Sequence, residues 1–142
     1  MLTLLPTHQV KFMKKIISVL ISASLALSCF MPWVIIESKN IMVSGVDATG
    51  TNFGKPGYFH FAMIFLFLLF SFIPKLWMKR FNVFVTGLNF GWAIRNFIII
   101  SACSGGDCPE KQIGIYIMLF TSILLMIVSF FPEIPSNASE SD

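Results

Sequence analysis

Four long apolar runs, each close to the thickness of a bilayer, constrain this chain more than any other feature. They cover residues 16–36, 58–74, 83–102 and 113–131, and each is 17–21 residues long. A helix needs about 20 residues to cross roughly 30 Å of hydrocarbon. Lipid offers the backbone no hydrogen-bond partner, so a spanning segment must be a helix or part of a closed barrel. Barrel strands are alternating segments of about 10 residues, and these runs do not alternate. The expected fold is therefore all-α, an antiparallel four-helix transmembrane bundle. Charged residues make up only 12% of the chain, about half the share in a soluble domain. The net charge of +3 sits in short clusters beside the apolar runs, which argues for membrane topology and against a nucleic-acid partner.

Those clusters also orient the bundle. Lys11, Lys14 and Lys15 precede the first run, and Lys75, Lys79 and Arg80 lie between the second and third. The opposite side carries Lys39, Lys55 and Lys111. The excess of basic residues marks the cytoplasmic side, so both termini are expected there, as in a bacterial inner membrane. The chain then divides into a basic cytoplasmic segment (1–15), a four-span membrane domain (16–131) and an acidic cytoplasmic tail (132–142). From Met13 onward the sequence also has the basic start, apolar core and small residues of a lipoprotein signal ending at Cys29. Ala26 stands where that signal prefers a branched aliphatic residue, and Phe30 to Ile36 stay apolar past the cysteine. An uncleaved first span is the expectation.

Two outer loops follow from this topology. The first, residues 37–57, contains Gly45, Gly50, Gly54 and Gly57. Its segments 41–43 and 51–53 could pair as a short hairpin across Gly45 to Gly50. It is no phosphate loop, since Pro56 stands where a hydroxyl residue would hold magnesium, and no nucleotide is expected. The second loop carries Cys103 and Cys108 around Gly105 and Gly106. On an oxidising side such a pair is expected to be a structural disulfide. No metal site is expected, because two thiols without a nearby histidine do not close one. No cofactor motif is present.

The third run is chemically the richest. Gly87, Gly91 and Arg95 follow one another at steps of four, which places them on one helical stripe. The glycines permit close approach of another helix. A charge near the bilayer centre costs about 2.5–3.5 kcal/mol on insertion scales, and no Asp or Glu occurs in any run. Arg95 is therefore expected to face the bundle interior, near the midplane, with Asn96 and Asn89 as candidate co-ligands for an anion or a lipid head group. Ser22 and Ser28 mark the first span as a tightly packing helix.

Three function classes remain. The first is a non-catalytic subunit or scaffold of a membrane complex, surrounded by lipid and contacting other membrane proteins through the third span. The second is a small transporter or channel with its anion site at Arg95. The third is an enzyme. In span count, and in a cysteine pair on the outer side, the chain resembles the quinone-linked thiol oxidases. Those enzymes carry C-x-x-C at the mouth of the second span, where this chain has Lys55, Pro56, Gly57 and Tyr58, so the likeness is one of architecture. The scaffold, with no enzymatic activity, is the leading expectation.

Overall fold

The computed structural model describes residues 6–131. Among these residues lie four α-helices, α1 (Thr7–Ser28), α2 (Gly57–Phe72), α3 (Leu76–Ser101) and α4 (Ile113–Phe130). Three short strands, β1 (Pro32–Ile36), β2 (Ile41–Ser44) and β3 (Glu110–Lys111), form one antiparallel sheet in the order β2-β1-β3. The helices make one bundle in which α4 packs on α1 and α3, and α2 packs on α3 and α1. The sheet covers one end of it. The other end carries Lys14, Lys15 and Lys79. Two helices, α3 and α4, are long and apolar enough to cross a membrane, with mean hydropathies of 1.5 and 2.4. The shorter α2 is also apolar. The chain is thus mostly helical, and the sheet is an addition to the all-α expectation.

The largest departure lies in the first apolar run. Helix α1 begins at Thr7, well before residue 16, and its last residue is Ser28. Residues 7–15 are therefore part of a helix and not a separate segment. The chain then turns, and Pro32 opens β1. Proline cannot donate to a helical ladder, and Trp33, Val34, Ile35 and Ile36 are the aromatic and β-branched types that fit a pleated, half-buried surface. Trp33 and Val34 are fully buried. Their hydrophobicity reflects burial beneath the sheet, and periodicity alone does not separate such a strand from the end of a helix.

The hairpin also differs from expectation. β2 pairs with β1, in the register Val34↔Val43, Ile35↔Met42 and Ile36↔Ile41. Residues 51–53 form no strand. The connection is a 3-10 turn, Glu37–Lys39, closed by Asn40 in the left-handed region at φ 51°, a conformation that asparagine tolerates better than most residues. On the far side of β1, Val34 pairs with Lys111 and Ile35 with Glu110. The acidic tail expected over 132–142 lies outside the described residues.

Three glycines fix the sheet to the helix ends. A Cβ on Gly114, in the first turn of α4, would stand 2.5 Å from the Pro32 carbonyl oxygen. One on Gly57, the first residue of α2, would stand 2.7 Å from the Gly45 carbonyl oxygen, and that carbonyl accepts the Gly57 N–H at 2.6 Å. Gly45 itself lies against Trp33 and the backbone of Cys29. Cys29 is buried as a free thiol, and burial with its Cα in this seam gives it a structural place.

Candidate functional site

A set of uncharged and His side chains drawn from all four helices is buried inside the bundle. Ser18, Ser22 and Ser28 of α1, His60 of α2, Asn82, Thr86, Asn89 and Asn96 of α3, and Thr121, Ser122 and Ser129 of α4 are all buried. Large apolar side chains cover the outside, among them Leu20, Phe65, Phe84, Ile98 and Phe120, each at least 58% exposed. A water-soluble fold rarely exposes contiguous apolar surface on this scale.

The buried groups tie helix to helix. His60 Nδ1 lies 2.7 Å from Asn89 Oδ1, and Asn89 Nδ2 donates to Ser122 Oγ at 3.2 Å. Ser122 passes its own proton to the Met118 carbonyl at 2.8 Å. That order of donors assigns the Asn89 oxygen as acceptor and His60 Nδ1 as an N–H donor. One turn away, the Thr86 and Ser129 hydroxyls are 2.7 Å apart. Toward the lysine end, Asn82 Nδ2 donates to the Phe67 carbonyl at 3.1 Å and to Ser71 Oγ at 2.9 Å. Interhelical bonds of this kind contribute about 0.6–2 kcal/mol each in lipid.

Arg95 is not part of this network. It is exposed, and its guanidinium stacks over the Trp92 ring, 4.7 Å from the centroid. The interior orientation expected for it is therefore corrected. Asn89 and Asn96 are buried on another face of α3, so the three residues do not form one site. Its place along α3 also differs from the expected one. The helix starts at Leu76 and not at residue 83, which moves its midpoint about 10 Å from Arg95 at 1.5 Å per residue. The Trp92 indole donates to the Pro56 carbonyl at 3.0 Å, so Trp92 stands level with the sheet-end start of α2. Arg95 lies one turn beyond that rim. The sequence misleads here because Asn82, Lys79 and Arg80 shorten the apparent apolar run from its other end.

Gly87 and Gly91 remain on the stripe with Arg95. A Cβ on either would meet no atom within 4 Å. Internal packing does not require these glycines, and they leave a shallow open groove on the outer face of α3. Ser22 and Ser28 are buried in α1, and Ser28 accepts the Trp33 indole N–H through its carbonyl at 2.8 Å.

Cys103 and Cys108 form a disulfide. It closes the loop that delivers β3 to the sheet and lines a cleft of about 550 Å3 with Ile98, Phe53, Asn52 and Lys39. Lys39 and Asp107 face each other across it at 4.0 Å. Among the described residues no cluster of three or more His, Cys, Asp or Glu side chains lies together.

His60, in the first turn of α2, is fully buried, with Trp33 edge-on to its ring at 6.2 Å. The signal was present: His60, Ile64, Phe67 and Ser71 share one stripe of α2 at helical spacing. No family model, curated protein or solved structure matches this chain.

Proposed function

We propose that the chain is a four-span protein of a bacterial inner membrane that serves as a non-catalytic subunit or scaffold of a larger membrane complex. In this reading the sheet end lies outside the cytoplasm and both termini lie inside. The polar interior and apolar exterior support a lipid surround, because lipid reverses the usual pressure on exposed side chains. The lysine-rich end agrees with the cytoplasmic side.

The observation that carries the scaffold reading is the open face of α3. Glycine in a helix costs about 0.8–1 kcal/mol relative to alanine, and Gly87 and Gly91 contribute no internal close contact that would offset it. Close approach of a helix from another protein would. Arg95 stands at the rim of the same face, where a partner's acidic or carbonyl groups can reach it. The alternative of an anion path through the bundle loses its support, because Arg95 is turned outward.

The test is purification in a mild detergent with identification of co-purifying proteins. Gly91→Leu and Arg95→Ala should each deplete a specific partner while leaving the abundance of the chain unchanged. Retention of every partner by both variants would sink the reading.

A further inference from the structure

We propose that the lysine end of the bundle holds one anionic phospholipid by its phosphodiester head group, in a cavity lined by all four helices. The inference rests on the membrane reading above but not on the complex. The cavity measures about 60 Å3 and is lined by Lys14, Lys15, Ser18, Asn82, Ser129 and Phe72, among others. A water needs about 10–15 Å3 of such space, so there is room for a phosphate-sized group.

Three features select the ligand. The first is charge. Lys14 and Lys15 approach from α1, with Lys15 Nζ 5.8 Å from the Phe72 ring centroid. Lys79 approaches from α3 and donates to the Ser71 carbonyl. Among the described residues no acidic side chain lines the cavity. Basic pockets between helices on the cytoplasmic side suit anionic head groups.

The second feature is an orphaned acceptor. Asn82 is 4% exposed, and its Nδ2 is fixed by the Phe67 carbonyl, which can only accept. The remaining Oδ1 is buried with no partner. A buried acceptor left unpaired costs about 1–3 kcal/mol, and a head group with a hydroxyl donor would satisfy it. An ammonium could also donate, but the lysines repel it. The third feature is an apolar exit. α1 packs less closely on α2 than on α4, and Val19 of α1 with Leu68 and Phe72 of α2 line the cavity on that side. Acyl chains can lie there. Together these describe a phosphatidylglycerol-like lipid: a phosphodiester, a hydroxylated head and two acyl chains.

The full chain, stripped of lipid in an uncharged detergent, would be titrated with phosphatidylglycerol, phosphatidylethanol, phosphatidylcholine and inorganic phosphate. Thermal shift and native mass spectrometry would read binding. One phosphatidylglycerol should bind per chain, more tightly than phosphatidylcholine. Phosphatidylethanol, which lacks the head-group hydroxyl, should bind a few-fold more weakly. Lys14→Gln with Lys15→Gln should weaken phosphatidylglycerol roughly 30-fold. Lys39→Gln with Lys111→Gln, the same charge removed at the sheet end, should change it little. Equal binding of phosphatidylcholine, or no effect of the Lys14 and Lys15 variant, would overturn the site. Equal binding of phosphatidylethanol would overturn the Asn82 contact. Inorganic phosphate matching the lipid would overturn the lipid assignment. Binding that appears only after residues 132–142 are removed would assign the cavity to the chain's own acidic tail. Release of the chain from membranes by alkaline carbonate would instead sink the membrane reading itself.

Discussion

The glycines at the sheet end and the glycines of α3 are the same residue used in opposite ways. Gly45, Gly57 and Gly114 stand where any side chain would collide with a backbone. Gly87 and Gly91 stand where a side chain would meet nothing. The first set closes the molecule on itself, and the second leaves it open. A glycine pattern in a sequence does not reveal which of these it serves. Only the identity of the neighbour does.

That contrast can be broken experimentally. The largest effect should come from Gly114→Ala, whose methyl would press on the Pro32 carbonyl; overpacking of this kind costs about 1–3 kcal/mol. Thermal unfolding in detergent would measure it, and an unchanged midpoint would mean that the seam is looser than it looks. Removing the disulfide by Cys103→Ser with Cys108→Ser should cost about 2 kcal/mol from loop entropy. It should loosen β3 before the helices, and hydrogen exchange at Glu110 and Lys111 would report it.

The open face should respond with the opposite sign. Gly87→Ala and Gly91→Ala should each stabilise the isolated chain, by up to about 1 kcal/mol. If either destabilises it, the groove is already filled within the monomer. The smallest effect concerns the loop that carries Gly45. Asp47 accepts from the Thr49 hydroxyl at 2.5 Å and from its N–H at 3.0 Å. The hydroxyl bond first, and the N–H bond second, hold its carboxyl below the ordinary value of 3.8. A lowered folded value means that the contribution is fully present above 3.8. It is then lost as pH falls through the lowered value. Asp47→Asn should remove that part of the acid dependence, and an unaltered acid profile would show that the turn does not couple to stability.

Much of the helical layout was legible in the sequence. The third and fourth runs became α3 and α4, because long uninterrupted apolar periodicity has few other outcomes. The Cys103 and Cys108 pairing was legible from a short glycine-rich spacing. The sheet was not. Ile35 and its partner Glu110 are 75 positions apart, and strand pairing over such a distance leaves no local pattern. Nor was the direction of Arg95. Helical spacing places it on a stripe with Gly87 and Gly91, but which stripe faces outward depends on where Asn82 and Asn89 find partners. Those partners, Ser71, His60 and Ser122, sit on other helices.

The position of β1 in the middle of the sheet bears on the order in which the chain can be built. β2 follows β1 within a few residues, so that hairpin can close as soon as both have been made. The second edge of β1 has to wait for Glu110 and Lys111, which follow only after α2 and α3. Until then the Ile35 amide, and the Trp33 carbonyl that accepts the Gln112 N–H, face an empty lane. The loop that carries β3 therefore acts as a latch: a nascent chain interrupted before residue 110 can hold three helices and a hairpin, but it lacks the strand that pairs with the second edge of β1.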